Sequence, residues 1–202
     1  MKLYYVPGVC SLASHIVLRE AGVDFTLDML DRDTRRTASG ENYLEVNPKN
    51  SVPALRLDNG EVLTEGPVIL QYIADRKPDS GLAPAAGSMQ RYRLAEWLNY
   101  VATEVHKQYS PLFNPKLPPA WRENQLNVLA KRFDYLTQHL AGRPFLMGER
   151  FTVVDAYLFV VLRWSARLNV DLGSWPVLTE YLGRIAARPA VQTALKAEGL
   201  AK

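Results

Sequence analysis

Four groups of residues have types and spacing that could do chemistry. Cys10 is the single cysteine. It follows Pro7-Gly8 at the predicted opening of a helix, where the dipole and the first-turn amides stabilise a thiolate and lower the thiol pKa. The same position equally suits a small buried hydrophobe. Val52-Pro53 precedes a predicted strand, and a proline there cannot donate to a ladder. A cis bond would present the backbone N–H and C=O of Val52 to an extended ligand, although an ordinary trans entry to the strand reads at least as well. Glu65-Gly66-Pro67 sits between a strand and a helix. Its carboxylate could pair with a ligand ammonium and the Gly66 amide could bind a carboxylate, or the glutamate could simply complement the helix dipole. Asn99, Thr103 and His106 recur at i, i+4 and i+7 on one helix face, with Lys107 adjoining. That face reads as solvated as readily as functional.

These groups need elements to hold them, and the chain supplies two different patterns. At 202 residues it is long enough for one large domain or two small ones. Leu3 to Val6 reads as a strand closed by Pro7-Gly8. A helix with Leu12, Ala13, Ile16, Val17 and Ala21 on one face follows and stops at Gly22. Phe25 to Leu30 reads as a second strand, so the opening is a βαβ unit with parallel pairing. Residues 31–51 read as a loop with a short helix. Ala54 to Leu57 and Glu61 to Thr64 form a hairpin around Asp58-Asn59-Gly60. Val68 to Ala74 is helical, with Pro67 in its first turn.

Residues 78–88, PDSGLAPAAGS, have linker composition, and beyond them the strand signal ends. Leu94, Leu98, Val101, Ala102, Val105 and Tyr109 line one helical face. Leu126, Leu129, Ala130, Phe133, Leu136 and Leu140 line another. Phe151 to Leu168 is apolar enough to be the central helix of a bundle. It opens on a capping box in which Thr152 bonds the Asp155 amide and Asp155 reaches back to the Thr152 amide. Two more helices start near Pro176 and break at Pro189. The expected fold is an α/β domain over 1–80, a linker over 81–88 and an all-α bundle over 89–202.

Composition narrows the function classes. Apolar residues make up 48% and charged residues 22%, which suits a soluble globular chain. The longest apolar run, Ala156 to Leu162, falls far short of the ~18 residues of a membrane helix. Pro7 and Gly8 interrupt any signal-peptide core, so a cytoplasmic location is expected. One cysteine excludes an intramolecular disulfide framework, a CxxC pair and a cysteine-rich zinc site. His15, His106 and His139 make no HExxH-type pattern, so no metal is expected. Residues 1–80 carry 9 Lys/Arg and 12 Asp/Glu, and residues 81–202 carry 15 and 9. The basic residues are dispersed, without the aromatic interleaving of a nucleic-acid surface. The modest positive field could favour a small anionic ligand.

Taken together, these segments resemble the cytosolic glutathione transferases, and the bacterial beta class in particular. MKLYYVPGVCSLASHIVLRE resembles the class's first strand and cysteine-bearing helix, and NSVPAL its cis-proline motif. LTEGPVILQYIAD resembles its glutathione-binding corner, EWLNYVATEVHK its first bundle helix and RFTVVDAYLFVVLRW its capping-box helix. The resemblance implies a thioredoxin-like domain followed by an all-helical one, a homodimer, and glutathione bound across the first domain as co-substrate. It implies that Val52 pairs through its backbone with the cysteinyl unit, and that Glu65 and Gly66 hold the γ-glutamyl end. Asn99 and Thr103 would reach that end from the partner subunit. Cys10 and His106 would sit near the glutathione sulfur, with Lys107 and Trp164 beside the acceptor. Arg35 matches a position where the class often places lysine for the glycyl carboxylate. Gly66 lacks the serine hydroxyl of many relatives, leaving its backbone N–H to bind.

The implied chemistry is attack of the glutathione thiolate on small hydrophobic electrophiles. Glutathione-dependent disulfide reduction is the alternative, with Cys10 forming a mixed disulfide that an external thiol resolves. A non-catalytic binding protein of the same fold is a third reading. The retained Cys10, Pro53, Glu65 and His106 count against it.

Overall fold

The computed structural model describes residues 1–201. The chain forms two compact units, one of Met1–Ala83 together with the chain from Arg188 onward, the other of Pro84–Ala187.

The first unit is built on a four-stranded sheet. β1 (Lys2–Tyr5), β2 (Thr26–Met29), β3 (Ala54–Arg56) and β4 (Val62–Thr64) stand in the order β2-β1-β3-β4. β1 runs parallel to β2, with Leu3 opposite Leu27, and antiparallel to β3, with Leu3 opposite Leu55. The run Leu3-Tyr4-Tyr5 is buried throughout, as expected of a central strand covered on both faces. α1 (Ser11–Ala21) makes the crossover, so the βαβ opening and the following hairpin form as the sequence predicts. α1 ends at Gly22, whose φ of 63° lets its amide reach the carbonyls of Leu18 and Arg19, the usual glycine termination. β1 is shifted one residue toward the N-terminus of the expected run, and the other three strands are one or two residues shorter than theirs, because strand ends give way to turns as soon as ladder partners stop.

The stretch after β2 contains α2 (Tyr43–Val46), capped by the Asn42 side chain on the Leu44 amide. On one sheet face Tyr4, Leu30, Tyr43, Val46 and Ala54 form a cluster with Val6, Val52 and Val62 packed against it. α3 (Gly66–Arg76) carries Pro67 in its first turn and packs with α1.

The second unit is helical. α4 (Met89–Tyr100) runs into a π-helical segment, Val101–His106, and then into α5 (Lys107–Tyr109). The sequence periodicity predicts one regular helix over this stretch. The apolar face is recovered, with Leu94, Leu98, Val101, Val105 and Tyr109 all buried. The π segment adds a residue to the turn, which the hydrophobic pattern alone does not register. α6 (Pro119–Leu140), α7 (Val153–Arg167) and α8 (Pro176–Ala186) complete the unit.

Every residue of α7 from Val153 to Leu162 is buried. The capping box at its start is present. Asp155 accepts bonds from the Thr152 amide (2.8 Å), the Leu146 amide (2.8 Å) and the Tyr181 hydroxyl (2.9 Å). Burial pushes its carboxyl up while these donors pull it down.

α9 (Pro189–Ala197), expected from sequence to continue the helical part, packs on α1 of the first unit. Arg188 grips Glu20 through two bonds of 2.6 and 2.8 Å. The sequence marks a helix break at Pro189 and is silent on which unit receives the last helix.

Candidate functional site

In the first unit the thiol of Cys10 is the centre of the geometry. Pro7 and Gly8 end the strand, and Cys10 occupies the N-cap position of α1 with φ −57° and ψ −25°. The Leu12 and Ala13 amides close the first turn onto the carbonyls of Val9 and Cys10 at 3.0 and 3.1 Å. Ser11 ties that turn back to the strand: its hydroxyl donates to the Val6 carbonyl at 3.1 Å and accepts from the Val6 amide at 3.2 Å. The first turn of α1 holds no acidic residue, so no side chain of that turn offsets the positive end of the helix dipole. Cys10 is half-buried, and its sulfur donates to the Val52 carbonyl at 3.1 Å.

Val52-Pro53 is a cis peptide. The chain just before it is held by two bonds to the Ser51 carbonyl, from the Tyr43 hydroxyl and the Asn47 side-chain Nδ2, both 2.7 Å. Burial pushes the Tyr43 phenol up to about 12, so it acts as a fixed donor. Tyr43 and Asn47 escaped the sequence reading because their partner is a backbone atom of a neighbouring loop.

Glu65 stands at the N-cap of α3 with φ 69°, in the left-handed region that glutamate rarely enters. Its carbonyl accepts from the Val68 and Ile69 amides, each at 3.0 Å. Its carboxylate pairs with Lys49, which also donates to Thr64 at 2.8 Å. Lys49 was not singled out from sequence. A lysine in a loop gives no sign of its partner 16 residues away. A Cβ added at Gly66 would meet Pro53 Cγ at 3.9 Å. Cys10, Val52, Pro53 and Gly66 are thus joined by a chain of direct neighbours. Arg35 is not among those contacts. It is exposed in the loop after β2, with φ 62° and its carbonyl bonded to the Tyr43 amide at 2.9 Å.

In the second unit Asn99 and Thr103 are exposed, and the Thr103 hydroxyl returns to the Asn99 carbonyl at 3.1 Å. His106 closes the π segment and is drawn inward. Its Nδ1 lies 2.6 Å from the Tyr157 hydroxyl, and its ring meets Trp164 edge-on at 4.9 Å. Burial, helped by the charge of Lys107, pushes its pKa down to about 4. His106 is therefore neutral at pH 7. In the tautomer in which the Tyr157 hydroxyl donates to Nδ1, the ring proton lies on Nε2 as a hydrogen-bond donor. Tyr157 lay hidden within an apolar run, where an aromatic reads as core.

Lys107 is exposed, whereas Trp164 is buried against His106, Tyr109 and Phe113. Among the described residues no group of three His, Cys, Asp or Glu side chains is placed to hold a metal ion. No helix among them is long and apolar enough to cross a membrane.

A mixed β2-β1-β3-β4 sheet with a thiol at the first helix start and a cis-proline beside it defines a thioredoxin-like domain. Comparison with known proteins agrees. Family models for the glutathione S-transferase N-terminal and C-terminal domains match residues 9–76 and 100–189. Glutathione S-transferase GstA of Escherichia coli O157:H7 is 48% identical over 200 residues, covering 99% of this chain and 100% of that protein. A sphingomonad glutathione S-transferase solved in complex with glutathione is 49% identical, with a TM-score of 0.95 and full coverage of both chains. A beta-class enzyme from Sphingomonas chungbukensis is 46% identical with a TM-score of 0.95, over 99% of this chain and 100% of that one. The chain belongs to the glutathione S-transferase family.

Proposed function

We propose that the protein is a glutathione transferase that joins the glutathione thiolate to small hydrophobic electrophiles. The observation that supports this most directly is the Cys10 sulfur at the start of α1, 3.1 Å from the Val52 carbonyl. Glutathione's thiol has a pKa of about 8.5 or above, so only a small fraction is ionised at neutral pH. A donor aimed at the sulfur and a nearby helix N-terminus both favour the thiolate. Cys10 supplies the first by turning its S–H from Val52 to the incoming sulfur. That exchange frees the Val52 carbonyl, which together with the Val52 amide can pair with the backbone of the tripeptide's cysteinyl unit, next to Pro53.

The remaining roles follow the same chemistry. Glu65 takes the γ-glutamyl ammonium in place of Lys49. Gly66 offers its amide to the γ-glutamyl carboxylate, and Arg35 offers a bidentate fork to the glycyl carboxylate. In the helical unit, neutral His106 donates through Nε2 to the sulfur, and Lys107 and Trp164 border the acceptor. Asn99 and Thr103, both exposed, serve glutathione held by the partner subunit of a cytoplasmic homodimer. With a chloronitroaromatic acceptor, a carbon–sulfur bond forms, chloride leaves and the thiol proton passes to solvent.

The test is the initial rate of that conjugation with pre-reduced protein. A rate saturable in glutathione and well above the uncatalysed reaction is expected. Cys10→Ala should lower turnover by less than about tenfold, the worth of one hydrogen bond, and abolish glutathione-dependent disulfide reduction. Glutathione binding without any conjugation to a panel of electrophiles would overturn the proposal.

A further inference from the structure

One buried carboxylate in the first unit has no part in the chemistry above, yet it is bonded two residues from Cys10. Glu198, just past α9, has a side chain with no solvent exposure, as does its partner His15 on α1. One oxygen of Glu198 lies 2.8 Å from His15 Nδ1, and the other accepts from the Gly8 amide at 2.9 Å. Arg19 Nε donates to His15 Nε2 at 2.9 Å. That nitrogen is then an acceptor, so the ring proton lies on Nδ1 and points at Glu198. The result is a continuous chain from guanidinium through imidazole and carboxylate to a backbone amide.

The rest of the segment repeats the contact. Gly199, with φ 69°, turns the chain so that Leu200 returns its amide to Leu195 at 2.8 Å. The Leu200 side chain then lies over Gly8, where a Cβ would stand 3.3 Å from Leu200 Cδ2. Gly8 itself has φ 72°, a backbone that a side chain would strain.

Resting on the reading of Cys10 as the thiol that serves glutathione, we infer that Glu198 is a positioning residue for it. Through Gly8, the segment Glu198–Leu200 clamps the Pro7–Cys10 turn and so sets the Cys10 sulfur against Val52. The titratable and charged groups facing this turn are Glu198 itself, His15 and Arg19 behind it, Tyr5 on β1 and Tyr43 beyond the sulfur. A glutamine at 198 keeps the shape but can satisfy only one of the two N–H donors, since its other terminal group is itself a donor. Loosening the turn breaks the bond that holds Cys10 protonated on Val52. Removing the negative charge also favours the thiolate. Both effects make Cys10 more reactive.

The experiment follows alkylation of Cys10 by iodoacetamide across pH in full-length protein, well below the melting temperature, beside glutathione conjugation. Glu198→Gln should alkylate roughly fivefold faster at pH 7, the fold-change of one neutral hydrogen bond, with its pH midpoint moved down. The KM for glutathione should rise, and Glu198→Asp should restore part of both. Leu200→Ala, which removes only a half-buried cover, gives the same direction more weakly and decides the matter if Glu198→Gln does not fold. Folded variants that alkylate at the wild-type rate and midpoint would reduce Glu198 to a stabilising role and overturn the inference. If the wild type alkylates but never conjugates, the transferase reading fails instead, and the clamp is still judged by alkylation.

Discussion

Around Cys10 the positioning bonds run largely to backbone atoms: Cys10 to the Val52 carbonyl, Ser11 to Val6, and Tyr43 and Asn47 to the Ser51 carbonyl. Around His106 they run to side chains: Tyr157 on Nδ1, Trp164 in a T-shaped contact with the ring, and Tyr109 and Phe113 against Trp164. A thiol held by turns can trade one partner for another with little rearrangement, as a substrate-exchanging site requires. A half-buried imidazole bonded to Tyr157 and set against Trp164 turns less freely, because a new orientation has to repack those aromatic neighbours. The first region is built to be displaced and the second to stay fixed.

The largest expected effect breaks the fixed region. His106→Ala should lower conjugation turnover by about tenfold or somewhat more, because it removes a hydrogen-bond donor to the thiolate and also the ring that packs on Tyr157 and Trp164. Tyr157→Phe keeps the ring and its packing but removes the hydroxyl from Nδ1, releasing the tautomer. Its loss should be smaller and confined to kcat, with KM for glutathione nearly unchanged. Equal losses in the two variants would assign the effect to the tautomer. Full activity in His106→Ala would return His106 to a packing role. In the wild type, the pH dependence of kcat/KM should show no inflection from His106 between pH 6 and 7, since its pKa is pushed down to about 4.

Acid separates the two regions in a second way. His106 has a folded pKa below its ordinary value, so the unfolded chain binds the proton first. Stability is fully present above about 6.5 and falls as pH drops toward 4. In the first unit Glu41 is the corresponding group. It accepts from Lys2 at 2.7 Å and from Tyr4, and pairs with Arg56 at 2.7 Å. Bonds from Arg56 and Lys2 hold its pKa down to about 2. Its contribution is present above about 4.5 and is lost as pH falls toward 2. Hydrogen exchange followed from pH 7 to pH 3 should therefore show the helical unit loosening first. His106→Gln should remove the upper step and Glu41→Gln the lower. Simultaneous loss of protection in both units would mean that neither group sets the acid response.

The same contrast explains what was legible in the chain. Local signals were read well: Gly22 as a stop, Asp58-Asn59-Gly60 as a hairpin turn, and Thr152 to Asp155 as a capping box. Each acts within a few residues, where type dictates geometry. The backbone-built region was largely visible for this reason, since Cys10, Val52-Pro53 and Glu65-Gly66 are punctuation marks of the chain. The π segment ending at His106 was not visible, because one extra residue in a turn leaves the apolar stripe intact. Tyr157, Lys49 and Glu198 were missed because their partners lie 51, 16 and 183 residues away. No periodicity carries that information.

The smallest effect sharpens the displaceable region. Gly66 begins α3, where the proposed γ-glutamyl carboxylate meets one backbone amide. An added Cβ there would touch Pro53 Cγ at an ordinary 3.9 Å, and Gly66 has no positive φ to be strained. Gly66→Ser should therefore be accommodated and add one hydroxyl donor. One added hydrogen bond, net of the water it displaces, is worth about 1 kcal/mol. The KM for glutathione should fall by roughly fivefold, with kcat unchanged, because the hydroxyl serves bound and reacting glutathione alike. A lower KM together with a lower kcat would show that tighter binding at this corner holds the sulfur away from its acceptor. An unchanged KM would place the γ-glutamyl end elsewhere than on the first turn of α3.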